Sequence, residues 1–266
     1  MAVNPLYLCG TVESVLDLAH AFVTEHCLPV WGGVLADSQR AGRGQLRRQW
    51  SSPPGNIYAA LRLPLTKLFT SSAAPLVVGA LLVDAFALQG IRLLLKWPND
   101  LLLYRASGNG ARQGCAVGKA GGVLLEERAG ALIAGIGINV ASAPSCEHIR
   151  TGGLSAACLN DLSHIHIRSK DALLGFWSCL VESFILCYHQ WDTLENGAWL
   201  ARAERHLVWK DGQVLLDDGD LHQGKLLGLT ASGGVRLLCA GVEKEFLRGN
   251  LSRVHCHVFS KGCLFR

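Results

Sequence analysis

The stretch from Gln39 to Tyr58 holds the densest candidate chemistry in the chain. Arg40, Arg43, Arg47 and Arg48 are interleaved there with Gly42 and Gly44, then closed by Trp50 and a Pro53-Pro54-Gly55-Asn56 turn. Glycines let the backbone approach a ligand closely, and bare N–H groups beside guanidinium ions form a concavity that wraps an anion. A phosphate is the natural ligand of such a loop, but a solvated basic loop ahead of a turn is built from the same residues. Three later blocks could complete a site: Lys96-Trp97-Pro98-Asn99-Asp100, Lys119-Ala120-Gly121-Gly122-Val123-Leu124-Leu125-Glu126 and Gly135-Ile136-Gly137-Ile138-Asn139-Val140. Taken alone, Lys119 reads as a solvent-facing strand lysine. Other constellations do not qualify. His255-Cys256-His257 and His164-Ile165-His166 each offer two metal ligands on a strand, with no third or fourth evident. Gly135-Ile136-Gly137 lacks the third glycine of a dinucleotide fingerprint.

Periodicity and turn residues indicate the elements that must position these blocks. Glu13 to Val23 repeats apolar positions at helical spacing, with Ser14 placed as the cap. Val34–Ala36 is a short strand feeding the arginine loop, and Ile57–Leu63 is a strand stopped by Pro64. Ser71 or Ser72 is expected to cap a buried helix running to about Leu88, with Gly90 just past its end. Leu93–Leu95 delivers Lys96–Asp100, and the polar, glycine-rich Arg105–Gln113 is a loop or hairpin tip. Val117–Glu126 and Ala131–Asn139 are consecutive strands, antiparallel because the joint at Arg128-Ala129-Gly130 is short. Ala141–Gly153 has the character of a surface loop. From Ser169 onward, apolar residues from Leu173 to Tyr188 share one face of a core helix of about five turns. Beyond His206, Val214–Leu216, Gly224–Leu229, Val235–Cys239 and Glu243–Leu247 are short strands separated by glycine-bearing turns, the pattern of a small all-β barrel.

Composition bounds the class. The chain has 266 residues, 50% hydrophobic and 17% charged, enough for a domain of about 200 residues plus a small one. A net charge of +4, much of it in the arginine loop, points to local phosphate chemistry, because a nucleic-acid binder shows a broader basic face. Ten cysteines are scattered without a C-x-x-C pair, as in a reducing cytoplasm. Met1–Gly10 has no basic region of a secretory signal, and the apolar run Ala73–Leu88 is interrupted by Pro75, Gly79 and Asp84, so no membrane span is expected.

In this order and spacing, Gly42-Arg43-Gly44 with the following Trp50-x-Ser52-Pro53-Pro54-Gly55-Asn56, K-W-P-N-D at Lys96–Asp100, K-x-G-G-V-L at Lys119–Leu124 and G-I-G-I-N-V at Gly135–Val140 resemble the catalytic domain of the biotin–protein ligases, over roughly residues 10–255. The resemblance implies an α+β fold of the class II synthetase-like type, a mixed, mostly antiparallel sheet backed by helices. It divides the chain into a catalytic domain at 1–206, an SH3-like β-barrel at 207–258 and a tail at 259–266. The implied reaction joins biotin and ATP, with Mg²⁺, into biotinyl-5′-adenylate, and passes the biotinyl group to a lysine of a biotin carboxyl carrier protein. The catalytic pattern begins by about residue 10, so the resemblance implies the monofunctional type, without a DNA-binding domain and without sequence-specific DNA binding. Homodimerisation stays open.

The residue roles implied by the resemblance follow one physical need. A carboxylate and an α-phosphate repel each other, and cations must cancel that repulsion before the acid oxygen can attack phosphorus. Lys119 matches the family lysine at that step, and Arg43 the arginine that closes over acid and adenylate with the Gly44 N–H. Ser14 and Gln39 match positions serving the ureido head group, with Gln45, Gly121 and Gly122 also on the biotin side; helix capping and loop support are the plain roles of Ser14 and Gln39. Arg47, Arg48, Trp50, Lys96, Asn99, Asp100 and Asn139 fall to ATP or the adenylate. Arg47 and Arg48 steer phosphates or face water, Trp50 packs on adenine or staples the loop, and Asn99 and Asp100 offer oxygens to Mg²⁺.

Three departures stand out. Val15-Leu16 replace the family's Thr-Asn after Ser14, which favours a lipoate or octanoate ligase or transferase as the alternative enzyme. Gln45 replaces the loop's second arginine and Arg47 its third glycine, which loosens the expected hold on the adenylate. The helix-turn-helix of bifunctional members has no counterpart. A non-catalytic biotin or adenylate sensor is a third reading, opposed by the intact Lys119 and Arg43.

Overall fold

The computed structural model describes residues 4–105, 115–144, 154–162, 164–192 and 198–254. Residues 106–113 and 145–153 of the two expected loops, His255-Cys256-His257, the tail and the side chain of Arg47 lie outside the described residues. Seven strands form the first sheet: β1 (Leu6–Val12), β2 (Gly33–Gln39), β3 (Ile57–Leu63), β4 (Leu93–Lys96), β5 (Asp100–Arg105), β6 (Cys115–Arg128) and β7 (Ala131–Ile138). Their order is β1-β2-β3-β7-β6-β5-β4. β1 runs parallel to β2, and the other described pairings of this sheet are antiparallel. The β6–β7 joint is a two-residue turn with positive φ at both Ala129 and Gly130, whose twist suits a hairpin.

Alternation along β3 explains why helices cover both faces. Ile57, Ala59, Leu61 and Leu63 enter a large core with helices α2 (Ala74–Leu88), α3 (Lys170–Asp192) and α4 (Ala198–His206). Tyr58 and Ala60 enter a smaller core under helix α1 (Val15–Thr24). α2 is buried nearly all round, so its sequence reads as an apolar run instead of a stripe. Its cap is Ala73, a correction to the expected Ser71 or Ser72: Pro75 fixes the first turn, and Ser72 Oγ donates to the Ser232 carbonyl. Gly90 ends the helix with φ +76°. α3 is long and apolar enough to cross a membrane by length and composition, yet Trp177, Leu180, Phe184, Tyr188 and Trp191 all pack into the large core.

The second sheet is antiparallel, in the order β11-β10-β9-β8-β12, built from β8 (Gln213–Asp217), β9 (Leu221–Leu229), β10 (Val235–Cys239), β11 (Val242–Phe246) and β12 (Asn250–Arg253). Its inward Val214, Leu216, Leu226, Val235, Leu237 and Leu251 continue the large core, so the two sheets share apolar packing.

Candidate active site

On the α1 face of the first sheet, glycines take positions where alternation would set side chains. There β7 carries Gly135 and Gly137 beyond Ile133, and β6 sets Gly122 opposite Gly137. A Cβ at Gly135 would lie 3.0 Å from Leu16, and one at Gly137 would lie 2.8 Å from the Trp50 indole. Only glycine lets another side chain lie this close to the strand. Trp50 thus rests on the glycine floor, and its Nε1 is buried without a hydrogen-bond partner.

Lys119 stands at the edge of this floor. β6 bulges at Ala120, since Leu101 pairs with Gly121 while Leu102 pairs with Lys119, and a bulge re-aims the side chain beside it. The Asn139 amide closes the bulge by donating to the Lys119 carbonyl at 3.3 Å and the Ala157 carbonyl at 3.1 Å. Lys119 Nζ meets Asp100 Oδ1 at 2.5 Å and lies 5.1 Å from the Trp50 ring centroid. Asp100 Oδ2 meets Lys96 Nζ at 3.1 Å, and Lys96 also donates to Asn250 Oδ1 at 3.1 Å. Burial pushes the Asp100 carboxyl up, but Lys119 and Lys96 together outweigh it and hold the group below the usual carboxylate range.

Several residues expected at the nucleotide have protein partners in this structure. Lys96 is buried and donates to Asp100 and Asn250. Asn139 is buried behind Lys119, and the Asn99 amide donates to the Val123 carbonyl at 2.7 Å, tying the β4–β5 turn to β6. Both Asp100 oxygens are taken by lysines, so the residues present do not fit a protein-held Mg²⁺. Among the described residues, no group of three or more His, Cys, Asp or Glu side chains could hold a metal.

The arginine stretch is a small hairpin. Arg43 bridges Gln49, Trp50 N donates to the Gly42 carbonyl at 2.8 Å, and Gly44 N donates to the Arg48 carbonyl at 2.8 Å. The Gly44 N–H expected for a ligand is therefore used inside the hairpin. A 3₁₀ turn at Gln45–Arg47 holds Leu46 at the tip, 83% exposed, with Arg48 exposed behind it. Arg43 points away from Lys119's partners to two other carboxylates, Asp17 on α1 at 2.9 Å and Glu126 on β6 at 3.1 Å. Arg128 joins the same pair.

At the start of α1, Ser14 is the cap by backbone geometry, but its side chain makes no cap hydrogen bond, and Oγ is buried and unpaired. Gln39 accepts from Val15 N at 3.0 Å and donates to Ser52 Oγ at 3.0 Å, and Ser52 Oγ in turn donates to the Trp50 carbonyl. One Gln39 hydrogen and one lone pair stay available. Val15 and Leu16 open α1 and are buried in the smaller core.

The chain is 32% identical over 185 residues to a biotin–[acetyl-CoA-carboxylase] ligase of Paracoccus denitrificans, a match covering 65% of this chain and 70% of that one. The chain belongs to the biotin protein ligase family. It is a ligase. The biotin/lipoate A/B protein ligase family pattern matches residues 24–142, which spans the hairpin, the Lys96–Asp100 block and the glycine floor. The biotin protein ligase from Aquifex aeolicus in complex with biotin and ATP superposes with a TM-score of 0.72 at 26% identity, covering 94% of this chain and 98% of that one. Asp17, Glu126 and Asn250, each in contact with a family-matched cation, were not singled out from the sequence. Asp17 lies one turn past Ser14 and Glu126 follows just after the K-x-G-G-V-L block, whereas Asn250 lies 154 residues from Lys96 and carries no local signal.

Proposed function

We propose that the protein is a biotin–protein ligase that makes biotinyl-5′-adenylate and transfers biotin to a lysine of a carboxylase's biotin carboxyl carrier domain. In the first step a biotin carboxylate oxygen attacks the α-phosphorus of ATP and pyrophosphate leaves. In the second, the carrier lysine attacks the acyl carbon and AMP leaves. The observation that carries this reading is Lys119, whose ammonium is anchored by the partly buried Asp100 beside the glycine floor and the Trp50 ring. A cation fixed before substrate arrives costs no reorganisation when charge develops, which is how electrostatic catalysis works best.

The remaining roles belong to the same proposal. Ser14 Oγ, buried and unpaired, supplies a partner for the ureido group, because leaving it unmatched costs about 1–3 kcal/mol. Arg43 leaves Asp17 and Glu126 when phosphates offer a stronger anion. Trp50 lifts from the glycines as ligand enters. Residues 1–206 serve as the catalytic domain and 207–258 as an SH3-like domain. A reducing, cytoplasmic setting suits the unpaired Cys9, Cys27, Cys158, Cys179, Cys187 and Cys239. The test is to incubate the protein with ATP, Mg²⁺ and, separately, biotin, lipoate or octanoate, and to trap acyl-adenylates for mass spectrometry. Biotinyl-adenylate is expected; lipoyl-adenylate without biotinyl-adenylate sinks the reading in favour of the lipoate alternative.

A further inference from the structure

The charge pair behind Lys119 does not end inside the first sheet. Lys96 is 5% exposed, and its ammonium donates to Asp100 Oδ2 and to Asn250 Oδ1, each at 3.1 Å. Asn250 opens β12, an edge strand of the second sheet, and is itself exposed. A buried ammonium draws on every acceptor in reach, because an unpaired charge in the interior carries a heavy desolvation cost. While Asn250 takes one of its hydrogens, Lys96 needs only one Asp100 oxygen, and Oδ1 stays on Lys119.

We propose that Asn250 is a positioning residue for adenylate formation: by giving Lys96 a second acceptor it leaves Asp100 Oδ1 to Lys119, so the second sheet sets where the Lys119 ammonium sits. The proposal rests on the reading of Lys119 given above. Docking of the second sheet does not depend on Asn250 alone, since Trp97 Nε1 donates to the Gly233 carbonyl at 2.9 Å and Ser72 Oγ to the Ser232 carbonyl. The relay and the docking are therefore separable by mutation.

The experiment compares Asn250→Leu, Asn250→Asp and Ser72→Ala in the full chain. Leucine removes the acceptor while keeping a side chain of similar size. With biotin and ATP saturating, Asn250→Leu is expected to lower kcat for pyrophosphate release about tenfold, because small misplacements of a reacting group cost up to roughly 100-fold. KM values should stay within about twofold, the mark of a group that acts mainly in the transition state. Transfer of biotin from preformed adenylate to a carrier domain should be unchanged. Asn250→Asp keeps an oxygen for Lys96 and should retain near-normal rates. Ser72→Ala loosens the same docking without touching Lys96 and should do the same. A normal kcat in Asn250→Leu overturns the relay alone. Equal losses in both half-reactions, or the same loss in Ser72→Ala, also overturn it, because they point to docking. A wild type that forms no biotinyl-adenylate overturns the reading of Lys119, and the relay with it.

Discussion

Lys119 and Arg43 are the two cations that match the family's catalytic pattern, and this structure holds them in opposite ways. Lys119 is anchored by Asp100 on the neighbouring strand, with its side chain one third exposed. Arg43 rides on a hairpin and is held by Asp17 and Glu126, which come from α1 and the far half of β6. On the proposed reading, the anchored cation is in place before substrate binds, whereas the hairpin cation exchanges its carboxylates for phosphates. A charge built into a sheet can be fixed by its neighbours, whereas a charge on a loop needs temporary partners until its ligand arrives. Asp17 is held below the usual carboxylate range by its hydrogen bond from Arg43, against a smaller opposing push from burial. It therefore stays ionised as a partner down to acidic pH.

Removing the anchor should produce the largest effect. Asp100→Ala leaves Lys96 and Lys119 side by side without their shared carboxylate, and breaking a buried pair from one side costs about 3–5 kcal/mol of stability. Denaturant unfolding measures this; a loss near zero means the pair is not structural. The sign of the pH dependence follows from the lowered folded-state pKa of Asp100. Its contribution is fully present above the unfolded carboxylate value and is lost as pH falls through the lower folded value. The acid limb of the stability curve should accordingly be shallower in Asp100→Asn than in the wild type, and an unchanged limb counts against the assignment.

Lys119→Ala should come next, and it separates catalysis from folding. With the fold retained, adenylate formation is expected to fall by about 3–4 kcal/mol in barrier, or roughly 10²–10³ in kcat. Near-normal turnover at saturating ATP takes Lys119 out of the mechanism.

Asp17→Asn acts on the other side of the comparison. Asp17 is 47% exposed, so its hold on Arg43 is that of a surface pair, about 0.2–1 kcal/mol. Weakening it should free Arg43 and lower KM for ATP by up to about fivefold at low salt, with less effect at high salt. A raised KM means that Asp17 positions Arg43 productively instead of detaining it.

The same contrast explains what could be read from the sequence. The strands β3 and β10 were legible to the residue because apolar runs ended at Pro64 and at the Ala240-Gly241 turn. β1 was not, since it lies at the sheet edge with Leu8 facing water and shows no clean alternation. α4 was missed because a nine-residue helix rich in charge buries only Ala203 fully. The K-x-G-G-V-L and G-I-G-I-N-V blocks were legible because each is contiguous in sequence, whereas the packing of Trp50 on Gly137 was not, because it joins distant parts of the chain. The partners of the cations were not. Asp17 and Glu126 reach Arg43 from 26 and 83 residues away, so only the folded sheet brings them together.

The smallest effect expected concerns Gln45, where the family's loop has arginine. Gln45 opens the 3₁₀ turn of the hairpin and is half-buried, close behind Arg43 in the chain. An arginine there would add a charge-assisted contact to a bound adenylate, and such contacts are roughly twice as strong as neutral ones. On an exposed hairpin the gain is modest, so Gln45→Arg should slow release of preformed biotinyl-adenylate by only about two- to threefold, the scale of a surface ion pair. By its position in the sequence, where the family's loop has glycine, Arg47 is the candidate to compensate. The deciding measurement is adenylate dissociation in wild type, Gln45→Arg and Arg47→Gly. Slower release in Gln45→Arg means that the natural loop holds its intermediate loosely. Unchanged release there, with much faster release in Arg47→Gly, means that Arg47 has taken over the missing arginine's task, and the hairpin then fixes its cation as firmly as the sheet fixes Lys119.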